Sequence, residues 1–233
     1  GCAGSFDDRN KKISRALVNI LRAAKIKFAI LGKEEKCTGD PCRRMGNEYL
    51  AQNLIKENVN TLNNYKVKKI VTACPHCFNA IKNEWKDFGG NYEVIHHSQL
   101  IAKLIEEDKI KLTKDFAEKI TYHDSCYIGR WNNEYQAPRN ILTHLPMARV
   151  QEMKESGADA MCCGAGGGRM WMEEHIGKRV NIARTEQALA TNADVVASNC
   201  PFCMTMLTDG VKAKEMTDKV KVMDIAELVE RAM

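Results

Sequence analysis

Ten cysteines fall along this chain in two sets of five, and the two sets are spaced alike. The first set is Cys2, Cys37, Cys42, Cys74 and Cys77; the second is Cys126, Cys162, Cys163, Cys200 and Cys203. Cys37 and Cys163, Cys74 and Cys200, and Cys77 and Cys203 are each 126 positions apart, and both sets close on Cys-Pro-x-Cys. Hydrophobic packing has no need of thiols at a fixed repeat. The pattern therefore points to two metal or iron–sulfur sites related by an internal duplication.

The flanking sequence repeats as well. Ile70-Val71-Thr72-Ala73 ahead of Cys74 lies over Val196-Ala197-Ser198-Asn199 ahead of Cys200. Val94-Ile95 with Gln99-Leu100 lies over Val222-Met223 with Glu227-Leu228 at an offset of 128, and Cys2 and Cys126 differ by 124. Offsets that drift by one or two residues mean loop insertions in a shared scaffold. Two homologous halves are expected, residues 1–114 and 115–233.

A chain of 233 residues with 44% hydrophobic and 28% charged residues can build one large or two small cores. Disulfides are a poor use for its thiols, since Cys162 and Cys163 are adjacent and the core is not short of apolar residues. A reducing, cytoplasmic setting is expected, with any membrane association through partner subunits. No apolar run approaches the ~20 residues that span a bilayer. The charges are interspersed, which argues against a nucleic-acid surface. The net charge of +5 favours an acidic partner only weakly. The chain opens on Gly1 rather than Met, and is read as a segment of a longer polypeptide or a trimmed one.

Short β-type runs alternate with helical patterns. Strands are predicted at Phe28–Leu31, Lys69–Thr72, Glu93–His96, Ile120–His123, Arg149–Met153, Asp194–Ser198 and Lys221–Met223. Ile13, Leu17, Ile20 and Leu21 mark one helix face, and Leu50, Leu54, Ile55, Val59 and Leu62 another. Lys66–Lys69 and Lys109–Lys114 read as solvated turns, the second joining the halves. This alternation predicts an α/β protein: two tandem, pseudo-twofold-related βαβ-type halves, each with a parallel sheet. Ligands in such folds sit beyond the carboxyl ends of strands. Cys74 and Cys200 each follow a predicted strand, and Pro75 and Pro201 suit the first turn of a helix. The positive end of each helix would then favour thiolate charge.

The most specific local signal is Cys162-Cys163-Gly164-Ala165-Gly166-Gly167-Gly168-Arg169. Neighbouring side chains diverge, so two adjacent thiols suit a polynuclear cluster better than one tetrahedral zinc. The glycines would let backbone N–H groups approach cluster sulfur. The loop lacks the spacing of nucleotide-binding motifs. Cys126, then Cys162-Cys163-Gly164, then Cys200-Pro-Phe-Cys203 resembles the cysteine-rich CCG domain of heterodisulfide reductase subunits B and D and related iron–sulfur oxidoreductases, here in two tandem copies. The resemblance implies a noncubane [4Fe-4S] cluster on Cys126, Cys162, Cys163, Cys200 and Cys203, those five also being the catalytic set.

The first half departs from the full motif, because Lys36 stands where the second half has Cys162. Cys2, Cys37, Cys74 and Cys77 keep the family positions and suffice for an ordinary [4Fe-4S] cluster. Cys42 is either a fifth ligand or a buried free thiol. A second [4Fe-4S] cluster is expected here, as an electron relay or structural centre. The implied function is an iron–sulfur redox subunit. It would reduce a disulfide-type substrate, or pass electrons between a flavoprotein or ferredoxin and a membrane quinone pool. Relatives often carry a ferredoxin-like cysteine run that this sequence lacks, so its partners would be other redox subunits: a ferredoxin-like or flavoprotein donor and a quinone-reactive membrane subunit. The rival from another class is a non-catalytic, zinc-stabilised binding module.

Several polar residues have plainer readings. His76 is expected to face solvent on a helix, the alternative being a hydrogen bond to a cluster. Of His96 and His97, one is expected to point outward. His123 and Asp124 are expected as satisfied polar groups near the second site. Met170, Trp171 and Met172 read as apolar cover, and Arg130 and Arg169 as candidates for holding an anionic substrate group.

Overall fold

The computed structural model describes residues 1–233. Its parallel strands lie in two sheets, a pair β1-β2 and a foursome in the order β4-β3-β5-β6. The strands are β1 (Lys69–Thr72), β2 (Glu93–His96), β3 (Lys119–Tyr122), β4 (Arg149–Val150), β5 (Val195–Ser198) and β6 (Lys221–Asp224). β1 and β5 stand 126 positions apart at both ends, and β2 and β6 stand 128 apart, so the offsets in the thiol pattern are those of the strands. The expected α/β architecture with parallel sheets is present.

Ten α-helices surround the sheets. In the first half they are α1 (Cys2–Phe6), α2 (Asp8–Ala23), α3 (Asp40–Arg44), α4 (Glu48–Asn64), α5 (Pro75–Asn79) and α6 (His97–Glu106). In the second they are α7 (Gln136–Thr143), α8 (Val180–Leu189), α9 (Pro201–Ala213) and α10 (Ile225–Ala232). Helix α2 starts at Asp7, whose side chain accepts from Asn10 N, and buries Ile13, Ala16, Ile20 and Leu21. Helix α4 starts at Asn47 and buries Ala51, Ile55, Val59 and Leu62, leaving Leu50 exposed. Leu50 falls just off the buried stripe that the other apolar residues define.

The largest core draws on both halves. Ile13 and Ile20 of α2, Ile101 and Leu104 of α6, Ile141 and Leu142 of α7, and Leu228 and Val229 of α10 pack against Ile120 and Val195 of the larger sheet. A second apolar cluster holds Ile55, Val59 and Trp85 together with Cys74, Cys77, Cys163, Cys200 and Cys203. The thiols of both sets thus share one buried region. No helix is long and apolar enough to cross a membrane.

Two predicted strands need correction. Phe28–Leu31 is irregular, with Phe28 and Ile30 exposed. Its counterpart β4 pairs only with β3, which ends four residues before Cys126. No strand of either sheet lies beside Phe28–Leu31. The predicted Arg149–Met153 shortens to Arg149–Val150, after which only Gln151 N still bonds to the Ile120 carbonyl. In the lysine-rich Lys109–Lys114 segment, Ile110 is buried and anchors the connection.

Candidate metal centres

Each Cys-Pro-x-Cys sits at a strand-to-helix junction. Cys74 and Cys200 are extended residues that cap α5 and α9, and the prolines take the first helical position, where no N–H is missed. Cys77 and Cys203 then lie in the first turn of their helices. Cys74, Cys77, Cys163, Cys200 and Cys203 are buried; Cys2, Cys37, Cys42, Cys126 and Cys162 are half-buried; none forms a disulfide.

In the second half the thiols form a continuous chain of contacts. Cys162 lies beside Cys126 and Cys163. Cys163 lies against Cys203, with Sγ atoms 3.2 Å apart, and Cys203 against Cys200. The Gly164 N–H donates to Cys162 Sγ at 3.3 Å, the kind of backbone contact expected from the glycine loop. In the first half Cys2 meets Cys37, and Cys74 meets Cys77. The Thr38 hydroxyl donates to Cys77 Sγ at 3.6 Å. Cys42, on α3, hydrogen-bonds to none of the other thiols. Lys36 points out to an ion pair with Glu57.

The electrostatics of the five-thiol group are lopsided. Hydrogen bonds from Cys126 and Cys163 hold the Cys162 thiol far below its ordinary value, while the same contact with Cys162 pushes Cys126 and Cys163 up. Burial opposes ionisation of Cys200, but hydrogen bonds from Cys203 and His76 overcome it and bring the thiol down to about 5. Contact with Cys37 likewise lowers Cys2 to about 6 and raises Cys37. Each group accommodates some thiolate charge and resists the rest. A polyvalent cationic centre is what would let all the thiols ionise together. Five converging sulfurs exceed the four that zinc takes, so the second group fits a polynuclear iron–sulfur centre and not a zinc module.

The histidines depart from their expected places. His76 is buried. Its Nδ1 lies 3.0 Å from Asp40 Oδ2, its ring lies 4.1 Å from that of Tyr127 and 4.9 Å from that of Phe202, and it reaches across to Cys200. Burial alone would lower this imidazole, yet the bonds to Asp40 and Cys200 raise it to about 10. His96 and His97 are both fully buried, so neither points outward. His97 Nε2 meets Asp224 Oδ1 at 2.9 Å, His97 Nδ1 meets His96 Nε2 at 3.3 Å, and His96 Nδ1 meets the Ser98 hydroxyl at 2.8 Å. His96 caps α6 and Asp224 caps α10, so the two repeat-related caps are linked through His97.

Asp124 is satisfied, pairing with Arg139 at 2.8 Å and accepting from Gly157 N at 2.7 Å. His123 is not: its Nε2 is buried without a partner. Arg130 is spent on the carbonyls of Ala158 and Ala160, and Arg169 pairs with Glu174. Neither holds an anion site open. Trp171 and Met172 are exposed, while Met170 packs on the thiol-bearing cluster.

A cleft lies between the two sites, lined by Asp40, Pro41, Arg44 and His76 from the first half. Gly166, Gly167, Met170 and Phe202 line it from the second, each 126 positions after one of those four. The cleft therefore lies where the repeats face each other. Arg44 enters it 5.8 Å from the centre of the Tyr127 ring, and pairs with Asp40 and Glu84. Arg44 and His76 owe their place here to the meeting of the halves, which no local motif announces.

A family model for the CCG cysteine-rich domain matches residues 1–82 and 120–208. The chain is 49% identical over 242 residues to the EtfAB:quinone oxidoreductase of Syntrophomonas wolfei, covering 100% of this chain and 34% of that protein. It is 49% identical over 233 residues to a probable iron–sulfur-binding oxidoreductase, FadF, of Bacillus subtilis, covering 100% of this chain and 33% of that protein. It is 38% identical over 239 residues to a subunit of the dihydromethanophenazine:CoB–CoM heterodisulfide reductase of Methanosarcina barkeri, covering 100% of this chain and 58% of that one. The chain spans about a third of the length of the first two relatives.

Proposed function

This chain belongs to the CCG cysteine-rich family through both of its repeats, and from that premise we propose that it is the iron–sulfur redox core of an oxidoreductase. Cys126, Cys162, Cys163, Cys200 and Cys203 would hold a noncubane [4Fe-4S] cluster. Cys2, Cys37, Cys74 and Cys77 would hold a second [4Fe-4S] cluster. The observation that carries the reading is the convergence of five unbonded thiols from three separate segments in the second repeat. Bound there, a cluster supplies one-electron redox chemistry that no side chain of the protein can.

The protein's own residues shape that chemistry. Apolar packing by Ile55, Trp85, Met206 and Phe202 keeps water from Cys74, Cys77, Cys163, Cys200 and Cys203. The glycine loop brings a backbone N–H to Cys162. His76, raised and held by Asp40, places a proton donor on Cys200 from the opposite repeat.

Electron passage between a flavoprotein and a quinone pool is the favoured role. Its support is the 49% identity to a protein named for that reaction. Disulfide-type reduction is the second reading, supported by the relation to a heterodisulfide reductase component. The donor and acceptor would be partner redox subunits. The test is anaerobic reconstitution with iron and sulfide. Two [4Fe-4S] complements per chain are expected, and in Cys162→Ala the second cluster is expected to be lost or converted to an ordinary cluster with a changed spectrum. A colourless, zinc-loaded protein, or a Cys162→Ala variant with unchanged iron and spectrum, refutes the proposal.

A further inference from the structure

His123 follows β3 and is 1% exposed, and its backbone N–H is already bound to the Ala197 carbonyl. A ring nitrogen of His123, Cys163 Sγ and Cys203 Sγ all lie within 4.8 Å of one another, a spacing that a metal ion could bridge. The hydrogen bonding of the ring decides otherwise. Arg184 Nε donates to His123 Nδ1 at 3.0 Å. A guanidinium has five N–H donors and no acceptor, so Nδ1 must present its lone pair. A neutral imidazole carries one N–H, which then sits on Nε2. A doubly protonated ring would set two donors head to head.

Arg184 is itself held. It is fully buried on α8, and its NH1 donates to the Glu155 carbonyl at 2.9 Å and to Gln187 Oε1 at 2.6 Å. The ring therefore cannot exchange its tautomer without breaking a three-way clamp. What remains is His123 Nε2–H, a buried donor with no partner, on a ring packed beside two thiols of the second site. Leaving such a donor unpaired is unfavourable, because it has lost its water and gained nothing in return. Sulfur at the site is what would satisfy it.

We infer that His123 is a positioning residue that donates its Nε2–H to sulfur of the second-repeat centre, and that Arg184 prevents it from becoming a metal ligand. The inference rests on the proposal that this repeat holds an iron–sulfur cluster. A donor to cluster sulfur stabilises the more negative, reduced state, and so raises the reduction potential. His123 would thus set how readily the centre takes an electron, without joining the ligand set.

The test uses the full polypeptide, reconstituted anaerobically. In His123→Leu the iron content is expected to stay at the wild-type value. The reduced-to-oxidised ratio of the second centre at a fixed potential is expected to fall about tenfold, which is about 59 mV for a one-electron couple. Wild-type protein labelled with 15N-histidine is examined alongside by pulsed electron paramagnetic resonance, so the outcome does not depend on the variant folding. Weak coupling, of the size expected for a hydrogen-bonded nitrogen and still present in labelled His76→Gln where the other histidine donor is gone, supports the inference. A strong, coordinated-nitrogen coupling overturns it, as does an unchanged potential in His123→Leu or a loss of iron from a folded variant. A chain that takes up no iron refutes the cluster proposal itself; one that binds iron normally but shows an unchanged potential refutes only the role of His123.

Discussion

Replacing His97 with leucine would strand a carboxylate in the middle of the molecule. Asp224 is fully buried, and its Oδ1 accepts from His97 Nε2 at 2.9 Å and from Ala226 N at 2.9 Å, while Oδ2 has no partner. The donors run one way through the network: the Ser98 hydroxyl to His96 Nδ1, His96 Nε2 to His97 Nδ1, His97 Nε2 to Asp224. Removing the neutral imidazole takes away a hydrogen bond that compensates this buried carboxylate, which costs about 3 kcal/mol. Asp224→Asn removes that charge at the same shape, and asparagine caps a helix as well as aspartate, so this change alone costs about 1 kcal/mol.

Once residue 224 is neutral, losing His97 costs only a hydrogen bond and some packing. The double variant is therefore expected to be at least about 2 kcal/mol more stable than the sum of the single losses implies. Urea unfolding of the metal-free chain without oxygen, followed by circular dichroism, measures all four members of the cycle. Additivity within about 0.5 kcal/mol would mean that the His97–Asp224 contact carries no coupling, and the reasoning fails.

Three further outcomes are expected. Gly39 has φ +86°, and a Cβ there would lie 2.9 Å from the Ala51 carbonyl oxygen, so Gly39→Ala should lower stability by about 2–3 kcal/mol; an unchanged urea midpoint refutes this. His76 is raised in the folded chain to about 10, above an unfolded value near 6.5. Its contribution is therefore complete below about pH 6.5 and lost as pH climbs through about 10, by up to about 1.4 kcal/mol per unit. Asp40→Asn, which removes the carboxylate bonded to His76, should pull that loss to lower pH, and identical slopes for the two metal-free proteins count against it. Cys42→Ser should leave iron per chain unchanged, because Cys42 hydrogen-bonds to no other thiol; loss of one cluster would make Cys42 a ligand.

Much of this protein was legible along the chain because duplication leaves periodic traces. The spacing of the thiols matched the spacing of β1 with β5 to the residue, and the 128-residue offset matched that of β2 with β6. Strand propensity placed strands ahead of Cys74 and Cys200, and the prolines marked the helix starts that follow. These are local matters, settled by neighbours in sequence. Phe28–Leu31 shows the limit: its β-branched and aromatic character predicts a strand, but a strand also needs another beside it, and pairing is not a local property.

What only the tertiary structure decided lies where the halves touch. His76 looks like a surface helix residue until Asp40, Tyr127, Phe202 and Cys200 close around it. His96 and His97 look like a strand end half in water until Asp224, 127 residues after His97, arrives to meet them. His123 reads as one more polar group before a cysteine; the guanidinium of Arg184 fixes which of its nitrogens carries the proton. Sequence spacing pointed to the strand-to-helix junctions at Cys74 and Cys200, because their neighbours in sequence repeat. It could not determine which polar side chains would face those thiols. That depends on contacts between repeats, made by residues far apart in the chain and specified by the packing of two cores against each other.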